Sequence, residues 1–143
     1  MSNRTVQVAA VSEAVRTLHR TLLGAVRAGY ERLYGPVADP LSVLQLALHD
    51  PLFAWLRPMS SLNAELDALV DEPEAVLDDA KLANVRATLE RWTSQKEGDD
   101  DFASSYRVFL QTEPEVVMAH AVLRNRLAAL PQPPAVRPAA QSN

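Results

Sequence analysis

The chain has 143 residues, a length that is typical of one domain able to bury a hydrophobic core. It contains no cysteine, which excludes disulfides, thiolate metal sites and thiol catalysis. Its formal net charge is −4, from 14 basic and 18 acidic residues that are interleaved along the chain. This balance disfavours a nucleic-acid-binding surface, which needs a continuous basic stripe.

The N-terminal segment has no apolar run followed by a cleavage-site pattern, and no run of about 20 apolar residues occurs anywhere. We therefore expect a cytoplasmic protein that does not enter a membrane. Among the basic residues only Lys81 and Lys96 are lysines, and alanine, valine and proline are abundant. This composition is typical of a protein from a GC-rich bacterial genome.

Residues 5–34 are predicted to form one long helix, because apolar or small residues recur at steps of three or four. These positions are Val8, Val11, Val15, Leu18, Leu22, Ala25, Gly29 and Leu33. Gly35 and Pro36 predict its end, since glycine adopts the left-handed conformation and proline cannot extend a helix. Such a helix spans about 45 Å, so we expect its first turns to protrude or to pair with another chain.

A second, shorter helix is predicted to follow Asp39, because aspartate is a favourable N-cap and Pro40 suits the first helical position. Its sequence is LSVLQLALH, which is apolar on nearly all sides. Such a helix is expected to be buried on several of its faces.

Two further aspartates predict helix starts in the middle of the chain. Asp50 precedes a proline and begins a helix over residues 51–70, which we expect to bend at Pro58 because proline removes a backbone donor. Asp71 opens the sequence DEPE, which has the pattern of a capping box, and begins a helix that runs to about Trp92.

The last third of the chain is predicted to hold two more helices. Residues 94–101 form a charged loop, after which Asp100 or Asp101 caps the first of them. Thr112 opens the sequence TEPE, a second capping-box pattern, and begins the last helix. Residues 131–143 are a proline-rich tail that we expect to be disordered.

The sequence thus predicts an all-α fold, because strand-like alternation and hairpin signals are lacking. We expect a helical bundle of four main helices and one or two short helices, with a long N-terminal helix. The bundle forms a single domain over residues 1–130, and residues 131–143 are its tail.

Three histidines are candidate metal ligands, because each lies at a predicted inward position on a different helix. His19 and His120 lie on or beside apolar stripes, and His49 ends the short apolar helix. If they converge, they could bind a divalent metal, with Asp50 or Glu31 completing the sphere. The simpler hypothesis is that each is a half-buried histidine with one hydrogen-bond partner, since no metal-binding spacing occurs.

The segment HDPLFAWLRPM holds a second candidate site, formed by Asp50, Trp55 and Arg57. Arg57 precedes a proline, which disfavours helical backbone and directs its guanidinium toward a pocket. There it could bind a carboxylate or a phosphate. The alternative is that Trp55 packs in the core and Arg57 pairs with a neighbouring acid.

Two functions follow from these patterns. The first is a non-enzymatic interaction or regulatory module that binds a protein partner or forms a homodimer through an exposed apolar stripe on helix 5–34. The alternative is a helical bundle that binds a small ligand or a metal, as a sensor or a hydrolase. A nucleic-acid-binding function is disfavoured, although a basic face on the first helix keeps it open. That face comprises Arg16, Arg20, Arg27 and Arg32.

Overall fold

The computed structural model describes residues 3–94 and 101–132, and all the regular secondary structure in this part of the chain is helical. This confirms the all-α prediction, and no strand occurs in that part of the chain. The predicted charged loop, apart from its ends, and residues 133–143 of the predicted tail lie outside the described residues. The helices are α1 (Asn3–Tyr34), α2 (Pro40–His49), α3 (Arg57–Val70), α4 (Asp79–Trp92), α5 (Asp101–Thr112) and α6 (Pro114–Leu127).

Helix α1 is the central element of the bundle and packs mainly against α3 and α6. Its apolar stripe follows the helical repeat, so one face enters the core along most of the helix. The first turns do not protrude, so that alternative of the prediction was wrong, while pairing with another chain stays a prediction. Val8 is 1% exposed, and Arg4 donates a 2.6 Å hydrogen bond to the carbonyl of Leu77. The exposed apolar end is the C-terminal one, where Leu33 and Tyr34 are each 69% exposed.

The hydrophobic core combines side chains from α1, α3, α4, α5 and α6. Its largest fully buried members are Tyr106, Phe53, Leu18, Leu22, Leu56, Met59, Leu66, Leu77, Leu82, Leu89, Leu123 and Leu127. None of the helices described has both the length and the apolar character that a membrane crossing requires.

Helix α2 lies on the surface, so the prediction that it is buried was wrong. Its start is as expected, because the Ser42 amide donates a 2.7 Å hydrogen bond to the Asp39 carboxylate. None of its ten residues is buried, however. Only Leu46 and Ala47 pack against the core. A helix that is apolar on all sides leaves its outer side exposed when its neighbours cover only one face.

Residues 51–70 do not form one bent helix. A turn and a short 3₁₀ helix, Ala54–Leu56, precede α3. Pro58 lies in the first turn of α3, where a missing amide donor costs no hydrogen bond, so it begins a helix instead of bending one. Arg57 has helical backbone angles of φ −58° and ψ −41°. The prediction that the following proline keeps Arg57 out of the helical region was therefore also wrong.

The two capping boxes predicted from DEPE and TEPE are not formed. After Asp71 the chain makes only a short 3₁₀ helix, Glu74–Val76. Leu77 then enters the core in a non-helical conformation, so α4 begins later, with Asp78 as its N-cap and the Lys81 amide 2.8 Å from the carboxylate. At the second box the Thr112 hydroxyl instead donates to the Val108 carbonyl within α5, at 2.9 Å.

Candidate functional site

The three histidines of the predicted metal site occupy three different environments. His19 is half-buried on α1, His49 is exposed at the end of α2, and His120 is half-buried on α6. Across residues 3–94 and 101–132, no group of three or more His, Asp or Glu side chains is placed to hold a metal ion. The structure therefore does not bring these histidines together as ligands of one metal.

His120 has a specific partner in the core. The hydroxyl of Tyr106 lies 2.7 Å from His120 Nδ1, and the two rings are 5.7 Å apart between centroids. Burial raises the pKa of Tyr106, and burial followed by the charge of Arg124 lowers the pKa of His120. A protonated phenol thus lies within hydrogen-bond distance of a neutral imidazole, and the hydrogen bond between Tyr106 and His120 joins α5 to α6.

The second candidate site, predicted at Asp50, Trp55 and Arg57, is likewise divided among different surroundings. Asp50 accepts a 2.9 Å hydrogen bond from the Leu52 amide, so its carboxylate holds the local turn. Trp55 stacks on Phe109 with ring centroids 5.6 Å apart and an angle of 15° between the planes. Arg57 is exposed, and its Nε lies 3.5 Å from the carbonyl of Ala47. Asp50 and Trp55 line different cavities, and Arg57 lines neither of them.

The first cavity, of about 690 Å³, lies between the end of α1 and α2 and includes His49 and Asp50 in its lining. The carboxylates in its lining already accept hydrogen bonds from backbone amides. Asp39 caps α2, and Asp50 stabilises the turn that follows α2. Asp39 is hydrogen-bonded chiefly by the backbone amide of Ser42, which lowers the pKa of Asp39. We therefore interpret this cavity as part of the local structure of the α1–α2 connection.

The second cavity, of about 590 Å³, is an open groove between α1, the turn at 51–55 and α5, and we call it the α1–α5 groove. Trp55 and Phe109 form its aromatic wall. It is lined by Ala25, Val26, Gly29, Tyr30, Arg32, Leu33, Pro51, Leu52, Trp55, Ser105, Val108 and Phe109. The sequence predicted Trp55 as a candidate ligand-binding residue but did not predict the contributions of α1 and α5 to this groove. No local signal links these segments, because they meet only in the folded bundle.

A third feature is the apolar outer face of α2. It consists of Leu41, Leu44 and Leu48, which are 63%, 54% and 54% exposed, and we call it the α2 stripe. Their spacing of three and four places them on one side of the helix. The same spacing is visible in the sequence, but a helix that is predicted to be buried gives no reason to expect an exposed apolar face.

Comparison with known proteins does not assign a role to these features. No protein-family model matches the sequence, and no curated protein or solved structure matches it either. The function is therefore inferred from the α2 stripe, the α1–α5 groove and the groups around them.

Proposed function

We propose that this protein is a non-enzymatic helical interaction module that self-associates through the α2 stripe. The observation that carries the proposal is the exposure of Leu41, Leu44 and Leu48, each more than half accessible, on one face of a short helix. Contiguous apolar surface on a water-soluble domain is costly to hydrate and is typical of interaction sites.

The composition of α2 favours a second copy of the same chain as the partner. Its sequence, PLSVLQLALH, contains no Asp, Glu, Lys or Arg. A twofold-symmetric contact places the same surface on both sides, so an uncharged apolar stripe meets another uncharged apolar stripe. A charged partner would lose hydration against these leucines without gaining an ion pair.

This interface differs from the one that the sequence predicted along helix 5–34. The apolar stripe of α1 is already covered by α3 and α6, so only its C-terminal end can contribute. Tyr34 supplies exposed apolar surface there, five residues before the cap of α2 at Asp39. We infer that Tyr34 extends the contact beyond the α2 stripe.

Sedimentation velocity over a range of protein concentrations tests the proposal. The wild-type chain is expected to form a dimer whose fraction rises with concentration. Leu44→Glu places a charge at the centre of the stripe and is expected to leave a folded monomer. Met118→Glu is the matched control, because Met118 is 71% exposed on α6, and it should dimerise like the wild type.

Circular dichroism confirms that each variant is folded before the masses are compared. A wild-type protein that stays monomeric at all concentrations contradicts the proposal. Equal loss of the dimer in Leu44→Glu and Met118→Glu would also contradict it, since the effect would then arise from added charge anywhere on the surface.

The alternative of a metal-binding sensor or hydrolase gains no support from the three histidines, which do not form a ligand group in the described chain. Elemental analysis of the purified protein tests it directly, and a stoichiometric metal would revive it. A cytoplasmic location and a bacterial source remain predictions from the sequence, as does the absence of a membrane or nucleic-acid partner.

A further inference from the structure

We propose that the α1–α5 groove binds a small amphipathic carboxylate, with its apolar part against Trp55 and its carboxylate on Arg32. The groove is separate from the α2 stripe, so this inference does not rest on self-association. It assigns Trp55 the ligand-binding role expected from the sequence, but with a different cationic partner than Arg57.

The apolar character of the groove supports the hydrocarbon part of the ligand. Its volume of about 590 Å³ lies within the range of roughly 300–1,000 Å³ that is usual for small-molecule sites. Trp55 and Phe109 form the wall, and Leu33, Leu52 and Val108 remain 69%, 42% and 57% exposed around it. A ligand that covers these side chains removes apolar surface from water, which is the main source of affinity in such sites.

Arg32 supplies the charge that selects an anion. It is the one charged residue among those described that line this groove. Three other arginines of α1 have carboxylate partners: Arg4 contacts Asp79, Arg16 contacts Asp67 and Arg27 contacts Glu31. Arg32 instead makes no hydrogen bond or ion pair with another described residue.

The guanidinium of Arg32 lies beside the groove floor. Its Nη2 is 3.6 Å from the position that a Cβ on Gly29 would occupy. Glu113 and Glu115 line an adjoining cavity together with Arg32, but they do not line the α1–α5 groove. A carboxylate bound in the groove can therefore accept hydrogen bonds from the planar guanidinium without meeting an acidic wall.

We commit to a free small carboxylate and not to a lipid bilayer or a peptide. The groove is open but has the volume of a small-molecule site, and a single cation matches a single carboxylate. A bilayer would need a broad basic surface, whereas the adjoining cavity that Arg32 also lines contains the acidic residues Glu113 and Glu115.

Isothermal titration calorimetry with decanoate and decanol tests the proposal. Decanoate is expected to bind the wild type, and Arg32→Gln is expected to weaken it about five- to tenfold while decanol binding stays unchanged. Arg20→Gln is the matched control, because Arg20 lies on the same helix and lines the adjoining cavity but not the α1–α5 groove. It should bind decanoate like the wild type.

Gly29→Leu provides a second variant that fills the groove, and it should abolish binding of both ligands. A Cβ at this position makes only an ordinary contact with Arg32, and replacing a mid-helix glycine favours the helix. Circular dichroism checks that the leucine variant is folded before its binding is compared. Repeating the titration in Leu44→Glu separates this site from the dimer, since decanoate should bind that variant equally well.

Three outcomes overturn the proposal. The first is that decanoate gives no heat of binding with the wild type, and the second is that Arg32→Gln and Arg20→Gln bind decanoate with equal affinity. The third is binding to phosphatidylglycerol vesicles without binding of free decanoate, which would identify a membrane surface as the partner.

Discussion

Helices α1 and α2 show that apolar composition alone does not decide burial. The short helix α2 has no Asp, Glu, Lys or Arg, whereas α1 carries several arginines and two glutamates. Yet eight residues of α1 are buried and none of α2 is. The helix with the more polar sequence is the one at the centre of the core.

The difference lies in how each helix separates its faces. In α1 the apolar residues form one stripe and the charged residues lie on the other faces of the helix. Only one orientation therefore buries the apolar residues and leaves the charged residues in water. In α2 leucines occupy the inner and the outer side alike, and a single neighbouring layer covers only the inner side. Periodicity and the number of packed neighbours therefore determine burial, and the surplus leucines of α2 remain available for a partner.

The largest expected effect is a difference in the free energy of unfolding between a leucine variant in α1 and one in α2. Leu18→Ala removes a fully buried side chain from α1 and should lower the free energy of unfolding by about 2–5 kcal/mol. Leu44→Ala, on the outer face of α2, should change it by less than about 0.5 kcal/mol. Urea denaturation at low protein concentration measures both, since self-association would otherwise raise the apparent stability.

Similar losses in the two variants would remove the contrast between the helices. In that case α2 would be part of the cooperative core in solution, and the α2 stripe would be covered within the chain.

A smaller effect is expected from the N-caps of a core helix and of α2. Asp78→Ala removes the cap of α4, which contributes to the core, and should cost about 1 kcal/mol of global stability. Asp39→Ala removes the cap of α2 and should loosen that helix alone. Amide hydrogen exchange should then become faster within 40–49 while α1 keeps its protection. Faster exchange throughout the bundle in Asp39→Ala would show that α2 does not open independently.

The smallest effect concerns one histidine from each helix. Burial lowers the pKa of His19 on α1, so the unfolded chain binds a proton more readily than the folded one. The stability that His19 contributes is fully present at pH values above its pKa in the unfolded chain, about 6.5. It decreases as the pH falls through that value. His19→Gln should therefore reduce the loss of stability between about pH 7 and pH 5.

His49→Gln is the control, because His49 is exposed at the end of α2. Urea midpoints for the wild type and both variants across this pH range measure the difference. His120, whose pKa is also lowered by burial, stays in all three proteins and contributes equally. An unchanged pH dependence in His19→Gln would contradict the assignment.

The parts of the fold that could be predicted are those fixed by local chemistry. The end of α1 follows from Gly35, because its φ of 94° lies in a region that favours a residue without a side chain. The start of α2 follows from the Asp39 carboxylate. The delayed start of α4 could not be predicted in this way. It depends on Leu77 entering the core, and that requires contacts with residues distant in sequence.

The candidate sites show the same difference between features that local sequence predicts and features that depend on tertiary packing. Trp55 could be identified from its unusual surroundings, and it does line the α1–α5 groove. Its cationic neighbour could not, since Arg32 is brought there by the folding of α1 against the turn at 51–55. The pairing of His120 with Tyr106 is equally non-local, because it depends on the packing of α5 against α6.

The end of the bundle also sets how far the chain can be shortened. Leu130 lies three residues beyond α6, is 3% exposed and belongs to the core cluster. Its carbonyl accepts a 2.7 Å hydrogen bond from Arg86, which ties this last turn to the neighbouring helix α4. A protease that trims the proline-rich tail should leave the domain intact as long as it cuts after this leucine. Cleavage one turn earlier would open the core and expose the domain to complete digestion.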